Sequence, residues 1–178
     1  MMQLVLGGAR SGKSRFAEQQ VAALLPQRSA NSASAIYIAT ATAEDDEMRQ
    51  RISHHRQQRD SSRIDWQLIE SPLALAETLT VLSGRNHVVL VDCLTLWLTN
   101  QLLADADMAQ CRQSLCQAVQ QFEGNLVLVS NEVGSGIVPL GELSRRFVDE
   151  AGWLNQQLAS IATKVTLVVA GLPLNLKG

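Results

Sequence analysis

Residues 4–14 read LVLGGARSGKS, an apolar run that continues directly into the pattern Gly-x4-Gly-Lys-Ser. That spacing is typical of a phosphate-binding loop, or P-loop. Its glycines let the backbone curl so that successive N–H groups face one anion, and the helix that follows directs its positive end at the same place. Lys13 can then reach the β- and γ-phosphates while the Ser14 hydroxyl binds Mg²⁺. The stretch predicts a protein that binds a nucleoside triphosphate; the alternative is a glycine-rich turn that carries a lysine by chance.

The apolar runs elsewhere in the chain predict an α/β fold around this loop. Six candidate strands alternate with six helix-length segments, and all but residues 66–69 are nearly continuous in Val, Ile, Leu and Ala, as in strands buried on both faces. This alternation predicts one domain over residues 1–178, a mostly parallel sheet covered by helices. The predicted strands are 3–6, 35–39, 66–69, 87–91, 125–129 and 165–170. The predicted helices are 13–25, 44–59, 73–82, 94–104, 109–122 and 141–162, and residues 173–178 are predicted to be a short tail.

The composition argues against several classes of protein. The 178 residues are 46% hydrophobic and 18% charged, which is ordinary for a globular chain. The net charge of −2 and the pI of about 5.9 argue against nucleic-acid binding by charge attraction. No apolar run approaches the ~20 residues of a membrane-spanning helix, and the P-loop begins too early for a cleaved signal peptide. Three cysteines match no metal spacing and indicate reduced thiols in a cytoplasmic protein.

Acidic residues follow two of the predicted strands. Asp92 ends the apolar run HVVLVD at 87–92, where a P-loop protein needs a carboxylate to hold Mg²⁺ directly or through water. The alternative is that Asp92 caps a helix beginning at Leu94. The stretch NEVGSGIVP at 131–139 has two glycines after a strand, which fits a loop at the ligand edge or an ordinary tight connection. Glu132 in this stretch is a second candidate polar group of the site.

Residues 44–59 form a charge-rich segment with two adjacent histidines. Acids crowd its start and arginines its end, as is typical of a helix. At about 100° per residue, His55 shares a stripe with Met48 and Ile52, whereas His54 falls on the opposite, polar face. An exposed imidazole beside bound phosphates could act as acid, base or covalent nucleophile. The alternative is a solvated helix whose histidines have no chemical role.

Taken together, these motifs resemble the bifunctional adenosylcobinamide kinase / adenosylcobinamide-phosphate guanylyltransferase family. The resemblance is carried by GGARSGKSR (7–15), YIAT (37–40), DDEM (45–48), RI-x-HH (51–55) and NEVG-x-GIVP (131–139), and it extends through residue 171. It implies a RecA-like P-loop fold, a homotrimer and a role in the late part of adenosylcobalamin (vitamin B12) synthesis. The implied kinase reaction passes the γ-phosphoryl of ATP or GTP to the aminopropanol hydroxyl of adenosylcobinamide. In the implied second reaction GTP gives GMP to the enzyme and releases pyrophosphate, and the phosphorylated corrinoid then takes that GMP to form adenosyl-GDP-cobinamide.

The resemblance also implies roles for individual residues. The guanylylated histidine falls on His54, the histidine that the helical pattern makes exposed, and Lys13 and Mg²⁺ spread the charge of the leaving pyrophosphate. Mg²⁺ is implied at Ser14 and Asp92. The implied nucleotide contacts are Gly7, Gly8, Ala9, Arg10, Ser11, Gly12, Lys13, Ser14, Thr40, Ala41, Thr42, Arg56, Gln57, Gln58, Arg59, Glu70 and Asp92. Asp92 and Glu132 are both candidate bases for the corrinoid hydroxyl, and the segments around Trp97 and Trp153 are candidates for an apolar trimer interface.

Two other functions fit parts of the sequence. A simple small-molecule kinase would need only the P-loop and Asp92, and it would keep its activity without His54. A nucleotide-dependent regulatory module would hydrolyse slowly and pass nothing to an acceptor. The chain has no Asn-Lys-x-Asp motif for reading guanine, so the sequence leaves the choice between ATP and GTP as phosphoryl donor open.

Overall fold

The strand that leads into the P-loop, β1 (Met2–Gly7), lies inside a mixed sheet in a computed structural model of the chain. The structure describes residues 1–25, 34–42, 46, 49, 50, 53 and 64–178. Within them the other strands are β2 (Ser34–Ala39), β3 (Trp66–Glu70), β4 (His87–Asp92), β5 (Asn125–Asn131), β6 (Lys164–Val169) and β7 (Leu172–Lys177). The described strands form a seven-stranded sheet in the order β3-β2-β4-β5-β1-β6-β7. All six predicted strands are therefore present.

The sheet is parallel from β3 to β6, as the apolar runs predict, and antiparallel at one edge. There the prediction of a tail at 173–178 was wrong, because those residues belong to β7. The chain reverses at Ala170 and Gly171, whose φ angles of 52° and 79° are both left-handed. Two consecutive residues of this kind make the tight turn that suits a hairpin. Pro173 is tolerated in β7 because an edge strand leaves one row of N–H groups unpaired.

Helices cover both faces of the sheet, as predicted. Outside the charged segment, the described helices are α1 (Lys13–Leu24), α2 (Leu75–Leu82), α3 (Leu94–Leu103), α4 (Met108–Gln120) and α5 (Glu142–Ile161). Helix α1 buries Ala17 and Val21 against one face of the sheet, on residues such as Val5 and Val129. Residues of α2, α3, α4 and α5 pack on the other face in a larger core cluster. None of the described helices has the length and apolarity needed to cross a membrane.

The charged segment predicted as a helix at 44–59 is helical where the structure describes it. Its described residues Asp46, Arg49, Gln50 and Ser53 are helical, and Arg49 pairs with Asp46 at 2.5 Å.

Trp97, whose segment was a candidate for an oligomer interface, is instead part of the core. It is 2% exposed, and its indole N–H donates to the Leu73 carbonyl at 3.0 Å. Helix α3 is apolar almost all round, so its sequence alone does not mark which side is buried.

Candidate active site

Residues 7–14 connect β1 to α1 through a tight loop in which glycine is required. Gly12 is the residue before α1 and has a φ of 94°, a conformation that side-chain-bearing residues rarely adopt. At Gly7 an added Cβ would overlap the Ser11 hydroxyl and lie 2.7 Å from the Val168 carbonyl oxygen. The Lys13 ammonium folds back over the loop and donates to the Gly8 carbonyl at 3.2 Å. The predicted strand–loop–helix arrangement is present, with Lys13 and Ser14 in the first turn of α1.

The hairpin between β6 and β7 braces the outer side of this loop. The Gly171 N–H donates to the Ser11 carbonyl at 2.8 Å, and a Cβ on Gly12 would lie 3.2 Å from the Gly171 Cα. This contact was missed at the sequence level because residues 173–178 were read as a tail. The signal that could have found it is the Ala-Gly turn followed by LPLNLK, in which leucine occupies every second position.

Asp92 lies at the C-terminal end of β4. The P-loop follows the C-terminal end of β1, so both lie along the same edge of the sheet, the one formed by the C-terminal ends of the parallel strands. The Tyr37 phenol, buried on the neighbouring strand β2, donates to Asp92 Oδ2 at 2.9 Å. The tyrosine ring is itself packed edge-on against Trp66, with 5.6 Å between ring centroids. Cys93 rather than Asp92 precedes the first residue of α3, and no side chain caps that helix. The alternative that Asp92 is a helix cap was therefore wrong.

Thr40 follows β2 but points into the protein. Its side chain is fully buried, its hydroxyl donates to the Cys93 carbonyl at 2.7 Å, and it accepts from the Cys93 N–H at 3.0 Å. The Asn100 amide donates to the Thr40 carbonyl at 2.8 Å. Thr40 thus ties the end of β2 to the end of β4 through its hydroxyl. Ala41 and Thr42, the next two predicted contacts, are half-buried at the same edge.

The stretch 131–139 also reaches this edge. Strand β5 lies between β1 and β4, and the N–H of Glu132, the first residue after β5, donates to the Gly7 carbonyl at 3.1 Å. The Glu132 carboxylate accepts from the Gly134 N–H at 2.7 Å. Arg145, at the start of α5, donates to the Pro139 carbonyl at 3.1 Å and so holds the far end of the stretch. The loop therefore lies at the same end of the sheet as the P-loop and directly against it.

Apart from residues 40–42 and Glu132, the predicted site residues fall into three groups. The P-loop and Asp92 lie on strands separated only by β5, and this puts them roughly 10 Å apart at the usual strand spacing. Glu70 is the last residue of β3, which is the outermost strand on that side of the sheet. By the same spacing, β3 lies roughly 19 Å from the strand that leads into the P-loop. Glu70 is therefore the described predicted contact on the strand farthest from β1. The third group, His54, Arg56, Gln57, Gln58 and Arg59, lies outside the described residues.

Comparison of the chain with known proteins identifies its family. A profile described as cobinamide kinase / cobinamide phosphate guanyltransferase matches residues 3–176. The chain belongs to this family. The match includes the P-loop, the segment with the two histidines, Asp92 and the stretch 131–139.

Named members of the cobinamide kinase / cobinamide phosphate guanyltransferase family are similar over their whole length. The bifunctional adenosylcobalamin biosynthesis protein CobP of Pseudomonas aeruginosa is 50% identical over 180 residues, covering 100% of this chain and 98% of that protein. The proteins named CobU of Escherichia coli and Salmonella typhimurium are 43% and 38% identical, covering 99% of this chain and 100% of each relative. Among solved structures, PH0250 of Pyrococcus horikoshii OT3 has a TM-score of 0.54 at 9% identity, over 99% of this chain and 86% of its own. This last similarity concerns the fold alone.

Cys93 follows Asp92 directly, and its thiol is expected to react slowly. Burial, followed by the charge of Asp92, raises the pKa of its thiol from 9.0 to about 11. At pH 8 about one thiol in a thousand would then be ionised, and the thiolate is the nucleophile in alkylation. In native protein at pH 8 we expect iodoacetamide to modify Cys93 far more slowly than Cys111 and Cys116, which are only partly buried. Peptide mass spectrometry over time measures the three rates, and equal rates for all three would contradict this expectation.

Proposed function

We propose that the chain catalyses both reactions for which its family is named, within adenosylcobalamin biosynthesis. It phosphorylates adenosylcobinamide with a nucleoside triphosphate, and it then transfers GMP from GTP to the phosphorylated corrinoid. The observation that carries the proposal is that a P-loop, Asp92 and the 131–139 stretch meet at one sheet edge in a chain that matches this family over residues 3–176. We further propose that all 178 residues act as one catalytic domain.

The P-loop provides the triphosphate site in this proposal. Space is open beside Gly8, where an added Cβ would meet no atom within 4 Å, so a phosphate can approach the backbone closely. The Lys13 ammonium now bonds to the Gly8 carbonyl, and binding would exchange that neutral acceptor for charged phosphate oxygens. The N-terminus of α1 adds the positive end of its dipole. These groups bind the same phosphates in both reactions.

Mg²⁺ is the metal that suits the remaining donors. The Ser14 hydroxyl and the Asp92 carboxylate supply hard oxygen atoms at the same edge, and Mg²⁺ binds proteins through one or two such ligands together with phosphates and water. When bound, the ion neutralises charge on the phosphates and the leaving group. Asp92 is pre-oriented for this role because the Tyr37 phenol fixes Oδ2.

Replacing Tyr37 with phenylalanine should therefore weaken Mg²⁺ binding. The substitution keeps the ring against Trp66 but removes the hydrogen bond to Asp92. We expect the Mg²⁺ concentration for half-maximal activity to rise about tenfold, which corresponds to about 1.4 kcal/mol, close to the lower limit for a hydrogen bond to a charged group. A Mg²⁺ titration at saturating GTP measures it, and thermal unfolding serves as the control for folding. An unchanged midpoint would show that Tyr37 does not orient the metal ligand.

His54 is the proposed nucleophile of the guanylyl reaction. Its neutral imidazole nitrogen attacks the α-phosphorus of GTP, the bond from that phosphorus to the bridging oxygen breaks, and pyrophosphate leaves with the electron pair. The phosphate of the corrinoid then displaces the imidazole and takes the GMP. The proposal is supported by the family resemblance and by the helical pattern that puts His54 on the polar face of its segment.

Radiolabelled nucleotides test both halves of the proposal. After incubation with α-labelled GTP and Mg²⁺ and then denaturation, we expect acid-labile, alkali-stable label on the protein. With γ-labelled ATP or GTP and adenosylcobinamide, we expect label on the corrinoid. Label on the corrinoid alone would favour a simple kinase, and hydrolysis with neither product would favour a regulatory module. Comparing the two donors decides which nucleotide the kinase reaction prefers.

A homotrimer is the oligomeric state that we propose, on the family resemblance alone. Trp153 is 50% exposed, and the Arg112 guanidinium carbon lies 5.2 Å from the centroid of its ring. Its exposed part is therefore available for the predicted apolar interface. Light scattering of the purified protein measures the mass, and a monomer at micromolar concentration would contradict the proposal.

A further inference from the structure

We propose that Glu132 is the general base of the kinase reaction, a choice that the sequence left open between Asp92 and Glu132. The inference rests on the proposed function and assigns a residue to one of its two reactions. As the corrinoid hydroxyl oxygen bonds to the γ-phosphorus, its proton passes to the Glu132 carboxylate. The bond between the γ-phosphorus and the β–γ bridging oxygen breaks, and the nucleoside diphosphate leaves with that electron pair.

The position of Glu132 between the strand that leads into the P-loop and the strand that ends at Asp92 supports this role. Strand β5 is hydrogen-bonded to β1 on one side and to β4 on the other, and Glu132 is the first residue after it. Its N–H is fixed to the Gly7 carbonyl at 3.1 Å, at the point where the P-loop begins. Glu132 therefore lies between Lys13, which can reach the β- and γ-phosphates, and the carboxylate of Asp92.

The carboxylate of Glu132 is held by one oxygen only. Oε1 accepts from the Gly134 N–H at 2.7 Å and from the Ser135 hydroxyl at 3.4 Å. Within the described part of the chain, Oε2 has no hydrogen-bond partner. A base needs this combination, because one oxygen sets the orientation while the other accepts the proton from a substrate at hydrogen-bond distance.

A cavity whose lining begins at Val133, the residue after Glu132, offers room for the acceptor. It has a volume of about 170 Å³ and is bounded by the 133–139 loop and by Arg145, Val148 and Asp149 of α5. It is large enough for a short alcohol-bearing arm and too small for a macrocycle. The hydroxyl of the aminopropanol arm could therefore approach from this side while the corrin ring stays outside.

Asp92 is less suited to take the proton. One of its oxygens already accepts the Tyr37 phenol at 2.9 Å, and its proposed role is to hold Mg²⁺. A cation beside a carboxylate favours the charged form, so a carboxylate on a metal is a weak proton acceptor. The two acids thus divide the work, with Asp92 on the metal and Glu132 on the hydroxyl.

The chemistry of the nucleophiles makes the proposal testable. An alcohol must lose its proton to attack the γ-phosphorus, and so the kinase reaction needs a base. A neutral imidazole attacks through a lone pair, and a phosphate monoester is already mostly anionic near pH 7 because its second pKa is about 6. Loss of the base should therefore affect the kinase reaction and spare both steps of GMP transfer.

The decisive experiment compares the two reactions in Glu132→Gln. We expect its kcat/KM for phosphorylation of adenosylcobinamide to fall about 10²- to 10⁴-fold, the usual contribution of a general base. We expect formation of the protein–GMP adduct and transfer of GMP to chemically supplied adenosylcobinamide phosphate to stay within about threefold of the parent protein. Glu123→Gln makes the same chemical change in an exposed residue just before β5, at the opposite sheet edge, and should leave both reactions unchanged.

Each other outcome is informative. Equal losses in both reactions of Glu132→Gln would assign Glu132 to nucleotide or metal binding, and undiminished phosphorylation would exclude it as the base; either result overturns the inference. Failure of the parent protein to phosphorylate adenosylcobinamide would instead overturn the proposed function. Because the parent and the variant are measured together, the two failures are distinguishable.

Discussion

Lys13→Ala is expected to abolish both reactions, with kcat/KM falling by about 10³-fold or more for the kinase and for the formation of the protein–GMP adduct. Lys13 is the charged side chain that the P-loop carries to the phosphates, and charge that is positioned in advance is usually the largest single contribution to transition-state stabilisation. Both reactions break a bond to a phosphate leaving group on the same triphosphate. A common loss is therefore expected, unlike the selective loss in Glu132→Gln. The two rates are measured with γ-labelled and α-labelled nucleotide.

Two further variants make the Lys13 result specific. Lys13→Arg keeps the charge but replaces a compact ammonium with a planar fork, so it should recover little activity if position matters more than charge. Lys164→Ala shortens a lysine at the start of β6, at the opposite edge of the sheet, and should leave both reactions unchanged. Among the described residues Lys13 makes one hydrogen bond, to the Gly8 carbonyl, and it is half-buried, so Lys13→Ala should fold normally. Retention of either reaction in folded Lys13→Ala would contradict a shared triphosphate site.

Most of the fold was predictable because parallel strands buried on both faces are apolar throughout. Strands β1, β4 and β5 contain runs of Val and Leu that are typical of strands buried on both faces, and the P-loop fixes where the first strand ends. Strand β7 lacked that signal. Its six residues are all exposed, it contains a proline, and it pairs on one side only. Predicting β7 would require predicting the two left-handed residues before it. Alanine rarely adopts that conformation, so the sequence gives no sign of it at Ala170.

Site features that depend on residue type could be predicted from the sequence. Features that depend on how neighbouring strands are aligned could not. The P-loop and Asp92 could be assigned to the same end of the sheet because the Gly-x4-Gly-Lys-Ser spacing and a carboxylate that ends an apolar run are visible in the residue types. Thr40 has the residue type of a ligand contact, but Ala39 pairs with Asp92 across the strands, which places Thr40 beside Cys93 and buries its hydroxyl. The same register brings the Tyr37 phenol to Asp92. Such cross-strand contacts follow from alignment of the strands, which apolar runs do not determine.

The largest selective effect is expected for His54→Ala, which should lose GMP transfer and keep the kinase. Removing a covalent nucleophile costs about 10⁴-fold or more, because without it the reaction must proceed by direct displacement at a site built for two steps. The kinase reaction needs Lys13, the metal and a base, and none of these is altered. We expect no protein-bound label from α-labelled GTP and phosphorylation of adenosylcobinamide within about threefold of the parent rate. Added imidazole should restore part of the GMP transfer, since it supplies the missing nucleophile in solution.

The adjacent histidine provides the matched control for this prediction. The helical pattern puts His55 on the apolar stripe with Met48 and Ile52, so His55→Ala should lower stability and still form the GMP adduct. A simple kinase would behave identically in both variants, with full phosphorylation and no label in either or in the parent. Label retained in His54→Ala but lost in His55→Ala would exchange the roles of the two histidines. It would also imply a predicted helix rotated by about 100° relative to the P-loop, because neighbouring residues of an ideal helix are about 100° apart.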